Sequence, residues 1–352
     1  MRQLALLLHP SVSIMRALVI GTGVGVRTHL PALVRALGPN QVGLVSRDVE
    51  RARVLVRESL GYWSSSVREA LASWSPDLVI VGLPTRLHLE VAAELADYRG
   101  GILFEKPVGA SYSECREIEA RLRHARAFVN FQLRGLAPIG EMRRVSGELG
   151  ALLLVRVDER SGAFHSSSPD AWYFRPGQAG GQRLAMLSHL IDLVLFVMGV
   201  AVERNVDRTE IASLPREGLE HTAVCSFNAG GTEVQISTSA AAHGPRALTL
   251  EVIATEGRLE FAFVNGRGSL VLHSTEGSTL MWSHEGSEKS LFRLAFPDYL
   301  GHVLRVMTRG QENEIVAGFP SAVVVQSILI ADQGRSADMN SGRSALTTEE
   351  LL

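Results

Sequence analysis

"GTGVGVRTHLPAL", residues 21–33, decides the fold, and it does so with one glycine out of place. In the dinucleotide-binding turn G-x-G-x-x-G the first glycine permits a tight turn and the second lets the backbone approach a pyrophosphate. The third allows close packing of helix on strand. Gly21 and Gly23 stand at the first two positions, whereas the third holds Val26, with Gly25 one residue earlier. Alone, such a loop is a weak signal, because any buried strand can end in a glycine-rich turn. Its neighbours strengthen it. The apolar run "RALVIG" (16–21) precedes the turn and "THLPALVRAL" (28–37) follows with helical apolar spacing, which is the strand–turn–helix order a phosphate cradle needs. Gly21, Thr22, Gly23, Val24 and Gly25 are therefore candidate cofactor-binding residues, and Val26 alters packing more than it removes phosphate donors.

The same alternation continues to about residue 130. "QVGLVS" (41–46), "DLVIVGLP" (77–84) and "GILFEKP" (101–107) read as buried strands. Between and after them, "RDVERARVLVRESL" (47–60), "VREALAS" (67–73), "LHLEVAAELADY" (87–98) and "SYSECREIEARLRHA" (111–125) read as helices, the last opening on serines suited to capping. Strands alternating with helices imply a mostly parallel sheet covered on both faces. Beyond residue 130 the pattern changes. "GALLLVRVDERSG" (150–162) reads as a strand and "GGQRLAMLSHLIDLVLFVMG" (180–199) as a buried helix. Strand candidates then follow at 222–228, 232–240, 247–254, 258–263 and 268–273, with "AVVVQSILIADQGR" (322–335) as a late apolar helix. Consecutive strands with short glycine turns suggest an antiparallel sheet. The expected fold class is an α/β Rossmann domain over residues 15–130, followed by an α+β domain over 131–352 with a large, mostly antiparallel open sheet.

Composition agrees with two globular domains. A chain of 352 residues exceeds the size at which one core keeps growing. A net charge of −2 gives no electrostatic reason to expect nucleic acid or an anionic membrane as partner. No segment is apolar over the length a bilayer requires. The two cysteines, Cys115 and Cys225, make neither a metal-ligand spacing nor a disulfide framework, so a cytoplasmic location is expected. Residues 1–14 read as a loose N-terminal extension ahead of Met15.

The end of the second strand bears on the cofactor. An NAD-binding unit places an acid there to hold the adenosine ribose. This chain has Ser46 and Arg47, which can donate to and pair with a 2′-phosphate. Asp48 comes late and suits the cap of the following helix. NADP(H) is accordingly preferred over NAD(H).

With "GTGVGVRTHLPAL", "PTRLH" (84–88) and "FEKP" (104–107) in view, the chain resembles the glucose–fructose oxidoreductase and inositol dehydrogenase superfamily, Gfo/Idh/MocA. "GG…SHLIDLVLFVMG" fits that family's glycine-led helix carrying a histidine. The resemblance runs from about residue 15 to the end of the chain. It implies that Lys106 is the catalytic lysine with Glu105 as its motif neighbour, that Pro84 and His88 lie beside the cofactor, and that His189 faces the substrate. Chemistry agrees for Lys106: hydride transfer to a carbonyl needs a proton delivered to oxygen, and a desolvated lysine has a pKa lowered toward the working range.

One departure stands out. Family members that oxidise polyols commonly carry an aspartate four residues before the helix histidine; here that residue is Ala185. Positions i and i+4 share a helix face, so an acid there could orient His189, and alanine cannot. His189 is then either catalytic or a structural histidine contacting Asp192. Some sugar-reducing members use a tyrosine in the substrate cleft as proton donor, and by that resemblance Tyr173, in "DAWYFRP", is a candidate for the role; the other reading is a packing aromatic.

The leading functional expectation is an NADP(H)-dependent oxidoreductase acting on a sugar, cyclitol or related carbonyl or polyol. The alternative is a non-catalytic nucleotide-binding sensor or scaffold of the same fold, which Ala185 and Val26 favour and the intact Glu105-Lys106-Pro107 disfavours. A hydrolase has no supporting G-x-S-x-G or metal cluster. An open sheet with an uncovered apolar face needs a partner, and family sheets pack face to face. A homodimer or homotetramer through the C-terminal sheet is expected.

Overall fold

The computed structural model of the protein describes residues 15–50, 52, 54, 60–166, 181–200, 206–216 and 219–330. Six short strands make the first sheet: β1 (Ala17–Ile20), β2 (Val42–Val45), β3 (Tyr62–Ser64), β4 (Leu78–Val81), β5 (Gly101–Phe104) and β6 (Arg126–Val129). Their order is β3-β2-β1-β4-β5-β6, and each neighbouring pair is parallel. The segments "ALVI", "VGLV", "LVIV" and "GILF" are buried at every residue, as parallel strands covered on both faces must be.

Helices α1 (Val24–Leu37), α2 (Val67–Trp74), α3 (His88–Glu94) and α4 (Tyr112–Arg121) belong to this unit. Ser66 and Ser111 cap α2 and α4, accepting from the backbone N–H of Glu69 at 3.3 Å and of Glu114 at 3.1 Å. Each serine thus stands three residues before a glutamate, the capping-box spacing. The strand order reverses between β1 and β4, which opens a crevice beyond their carboxyl ends.

After α5 (Ala137–Ser146) comes an eight-stranded sheet: β7 (Leu152–Arg160), β8 (Val206–Arg216), β9 (Leu219–Ala229), β10 (Thr232–Ser239), β11 (Ala247–Ala254), β12 (Gly257–Val264), β13 (Arg267–Ser274) and β14 (Gly277–Glu285). The order β14-β13-β12-β11-β7-β10-β9-β8 is antiparallel except where β10 runs parallel to β7. The two edge strands, β8 and β14, escape sequence reading because edges carry charges, proline and polar residues in place of a clean apolar alternation. The helix expected over 180–199 begins instead as a π turn, Arg183–Leu187, and continues as α6 (Ser188–Met198), ended by Gly199 at φ 66°. A glycine in this left-handed conformation is a common helix terminator. Buried along nearly its whole length, α6 packs against α5, β7 and β10.

Two further helices, α7 (Leu291–Arg309) and α8 (Phe319–Ile330), return to the first sheet. Phe296, Tyr299 and Val303 share one core with Ala17, Val19, Leu44 and Ile80. Tyr299 Oη donates to the Val129 carbonyl and accepts from the Ala317 amide at 3.0 Å. Residues beyond 131 therefore help to build the Rossmann unit as well as the second sheet.

The open face of the second sheet carries charges across its centre. Val155, Val157, Leu250, Val252, Leu259 and Phe261 point inward and are buried. The alternate residues form a cross-strand charge ladder: Arg156 lies 3.5 Å from Glu251, Arg258 lies 3.0 Å from Glu251 and 3.3 Å from Glu260, and His273 lies 3.0 Å from Glu260. The face is polar across its centre because apolar strand residues are gathered on the side that covers α6. No helix among the described residues is long and apolar enough to cross a membrane.

Candidate active site

The glycine loop sits where the sheet order reverses. Gly21 adopts φ +107°, and a Cβ there would lie 2.8 Å from the Gly82 carbonyl oxygen, so two strand ends meet across a glycine. A Cβ on Gly23 would meet nothing within 4 Å. Gly23 caps α1 without a side-chain cap, and the first turn of a helix leaves backbone N–H groups available to an anion. Val26 is buried in the core under α1. The valine therefore fills core volume and takes nothing from the cradle.

Beside this loop a cleft of about 400 Å³ is lined by Thr22, Ser46, Arg47, Asp48, Ser66 and Leu83, among others. Ser46 is buried and its hydroxyl is engaged: it accepts from the Asp48 amide at 3.1 Å and donates to the Asp48 carbonyl at 3.2 Å. Asp48 precedes the first helical residue, and its carbonyl accepts from the Ala52 amide at 3.0 Å, as a cap residue does. Arg47 is exposed at the rim of the same cleft.

The segment after β5 is pinned from four directions. Glu105 Oε1 is bonded to His29 Nε2 at 2.5 Å and accepts from Asn130 Nδ2 at 2.9 Å. Thr85 Oγ1 donates to the Pro107 carbonyl at 3.2 Å, and His88 Nδ1 lies 2.9 Å from the Val108 carbonyl. Lys106, whose peptide bond to Pro107 is cis, projects from this fixed segment and donates from Nζ to the Ala185 carbonyl in the π turn. Burial pushes the Lys106 pKa down to about 8, with the Glu105 carboxylate opposing the shift. Burial would raise Glu105, but the His29 hydrogen bond and the charge of Lys106 outweigh it and hold that carboxyl below its ordinary range.

His88, expected beside the cofactor, and Glu105, the motif neighbour of Lys106, are engaged within the protein. His88 is fully buried, with Nε2 3.0 Å from the Leu83 carbonyl and Nδ1 on Val108. Desolvation lowers its pKa. It ties the β4 and β5 loops together, so its ring is not free to hold a ligand. Glu105 likewise spends one oxygen on His29 and Asn130, joining α1 and the end of β6 to the lysine segment. Pro84 is exposed and opens the single 3₁₀ turn Thr85–Leu87 at the crevice.

On the other side of Lys106, His189 is buried between Phe131 and Phe292, at ring-centroid distances of 6.1 and 5.0 Å. Its Nδ1 is buried without a hydrogen-bond partner among the described residues. Desolvation, then the charges of Lys106 and Arg246, lower its pKa well below the ordinary imidazole value, so it is neutral near pH 7. Asp192 is not its partner. That carboxylate takes two bonds from Arg134, at 2.8 and 2.5 Å, in a buried pair. The Ala185 expectation also changes in kind, because residue 185 lies in a π turn and meets Lys106 through its backbone carbonyl. Tyr173 lies outside the described residues.

His29, Asn130, Glu159, Gln182 and Arg246 were not expected from sequence. His29 had a faint signal, a histidine on the buried face of the helix after the glycine loop. Glu159 is buried in β7, accepts from Thr238 Oγ1 at 2.8 Å and lies within 3.5 Å of Gln182 Nε2. Arg246 Nη2 lies 3.4 Å from its other oxygen. These residues come from distant helices, strands and strand ends, and no local pattern announces them.

Comparison with known proteins fits this geometry. Residues 15–131 match the model of an oxidoreductase family with an NAD-binding Rossmann fold, Gfo/Idh/MocA, and residues 143–260 match the Gfo/Idh/MocA C-terminal domain. The chain belongs to the Gfo/Idh/MocA family. Its relatives include an uncharacterised oxidoreductase of Synechocystis sp., 28% identical over 260 residues, spanning 68% of this chain and 70% of that protein. Another is the 1,5-anhydro-D-fructose reductase of Ensifer adhaerens, 27% identical over 281 residues, or 74% and 80% of the two chains. Among solved structures, the transcriptional regulator Gal80p of Kluyveromyces lactis superposes with a TM-score of 0.77 at 12% identity, over 94% of this chain and 92% of that one. That last likeness concerns the fold. This Gfo/Idh/MocA chain is thus a member of an NAD-binding oxidoreductase family whose fold also serves a regulator.

Proposed function

We propose that the protein is an NADP(H)-dependent oxidoreductase that transfers a hydride to or from a sugar, cyclitol or related carbonyl or polyol, with Lys106 moving the proton. The observation that carries this reading is the placement of Lys106. It is held on a rigid segment beyond β5, half-buried, with a pKa of about 8 and His189 beside it. A nicotinamide cofactor held by the glycine loop and the cleft lined by Thr22, Ser46 and Arg47 would supply or take the hydride. As an ammonium, Lys106 gives a proton to a carbonyl oxygen being reduced; as an amine, it takes the proton from a hydroxyl being oxidised. A pKa near the operating pH leaves both forms populated. The Ala185 carbonyl orients Nζ, and neutral His189 contributes a hydrogen bond and shape.

Arg47 supports NADP(H) over NAD(H), since its guanidinium stands at the rim of the cleft beside Ser46. Asp48 lines the same cleft and opposes a 2′-phosphate, so the preference is a balance between two neighbouring charges. The likeness to 1,5-anhydro-D-fructose reductase supports the reducing direction. A homo-oligomer in the cytoplasm, built through the charge-laddered sheet face, completes the proposal.

The test is a titration of the purified protein with NADPH and NADH, read by nicotinamide fluorescence, followed by turnover on a panel of carbonyl and polyol compounds. Turnover that falls about 10²–10⁴-fold in Lys106→Met, with cofactor binding intact, is the expected result. Ala185 and the regulator of the same fold favour a second reading, a non-catalytic nucleotide sensor. Tight cofactor binding with no turnover across the panel would establish it.

A further inference from the structure

Lys106 is one of two cations beside His189, and the other has no part in the proton transfer. Arg246 stands just before β11 with its guanidinium 5.0 Å over the centroid of Phe292, the same ring that lies 5.0 Å from His189. Its carboxylate neighbour, Glu159, is 3.4 Å away, well beyond the 2.7–2.9 Å of a charge-assisted bond. The Glu159 side chain is 1% exposed and that of Arg246 36%, so the guanidinium extends from a buried acid toward solvent. Burial also pushes Glu159 toward its neutral form, against the pull of Arg246, which weakens its compensation of the guanidinium. Arginine has five N–H donors, and among the described residues Glu159 occupies one. The buried Nδ1 of His189 has no hydrogen-bond partner among the described residues.

A neutral sugar would bring no charge to these two cations, whose carboxylate neighbours in the protein are Glu105 and Glu159. An anionic group would satisfy them, and the planar guanidinium, stacked on Phe292, presents a fork matched to a carboxylate or phosphate. We propose that Arg246, stacked on Phe292 across His189 from Lys106, is an anion subsite, and that the substrate is an acidic sugar or polyol whose carboxylate or phosphate docks there. This inference rests on the oxidoreductase reading for its reacting carbon, but Arg246 can be tested separately.

The probes are D-glucuronate, D-glucose 6-phosphate and D-glucose, titrated into the full chain saturated with NADPH and read by nicotinamide fluorescence. At least one anion should bind about tenfold more tightly than glucose, the scale of one charge-assisted contact. Arg246→Gln should abolish that advantage with NADPH affinity unchanged, and Arg246→Lys should keep part of it. The carboxylate and phosphate arms identify which anion is taken. Should Arg246→Gln fail to fold, Phe292→Leu reads the same stack and should also reduce the preference. If neither anion outbinds glucose, or if the preference survives in Arg246→Gln, the subsite does not exist. Failure to bind NADPH and NADH would instead remove the oxidoreductase reading, and calorimetry of the same anions on cofactor-free protein would still decide the role of Arg246.

Discussion

His29 Nε2 lies 2.5 Å from Glu105 Oε1, joining the helix after the glycine loop to the residue before the candidate catalytic lysine. The pair couples the phosphate cradle to the proton-transfer segment, since His29 is fully buried on α1 and Glu105 follows β5. Glu105 also contributes the charge that opposes the lowering of the Lys106 pKa. Glu105→Gln keeps hydrogen-bonding capacity and removes that charge. The Lys106 pKa should then fall further, and the alkaline limb of the kcat–pH profile for reduction should move from about 8 to lower pH by about one unit. An unmoved limb would show that Lys106 is not the titrating donor. His29→Ala should cost stability, on the order of 1–3 kcal/mol, by removing a buried partner of the carboxylate, and a thermal melt reads it.

Sequence reading succeeded where a feature is local and periodic. The runs at 77–84 and 101–107 are nearly continuous apolar strands, and the turn at Gly21 has neighbours that fix its meaning. It failed where tertiary context decides. Nothing in "GGQRLAMLSHL" signals that Arg183–Leu187 widens into a π turn, which changes what Ala185 offers to Lys106. Asp192, one helical turn from His189, looked like its partner, but Arg134 reaches it from 58 residues away in the chain. Arg246 and Glu159 meet only because β7 and β11 pair across the sheet.

On the proposed reading, cofactor choice turns on Arg47 and its neighbour Asp48 in the cleft beside Gly21. Arg47→Ala should weaken NADPH binding more than NADH binding, because only NADPH has the 2′-phosphate. A charge-assisted contact is worth roughly 1.5–3 kcal/mol, so the preference should shift about tenfold or more. Equal losses for both cofactors, or tighter NADH binding by the wild type, would reverse the assignment.

Stability should fall as the solution is acidified. His88 and His189 are buried with pKa values lowered by desolvation, and His302 is lowered to about 4. A folded pKa below the unfolded value means that the unfolded chain binds more protons. The stability these histidines allow is complete above about pH 6.5 and is lost as pH falls toward the folded values. Glu105, held low, acts in the same direction at more acid pH, while Glu159 and Asp192, held high by burial, act against it. His189→Gln should therefore show a smaller loss of Tm than wild type between about pH 7.5 and about pH 5. An identical loss would mean that His189 is not a buried neutral group.

Ala185 offers the sharpest test of the proton path. Its side chain is buried in the π turn, while its carbonyl accepts from Lys106 Nζ. Since residue 185 precedes His189 through a π turn, an aspartate there does not inherit the simple i, i+4 relation to the imidazole. It does place a carboxylate beside the ammonium that its own carbonyl already holds. Ala185→Asp should raise the Lys106 pKa above its value of about 8 and move the alkaline limb for reduction to higher pH. Neutral His189 cannot act as an imidazolium acid near pH 7, so His189→Ala should reduce turnover less than Lys106→Met, which should cost about 10²–10⁴-fold. If His189→Ala is as damaging as Lys106→Met, with fold and cofactor affinity intact, the histidine is the proton carrier. The aspartate in Ala185→Asp should then act on His189, giving a new limb near the ordinary imidazole range and leaving the lysine limb in place.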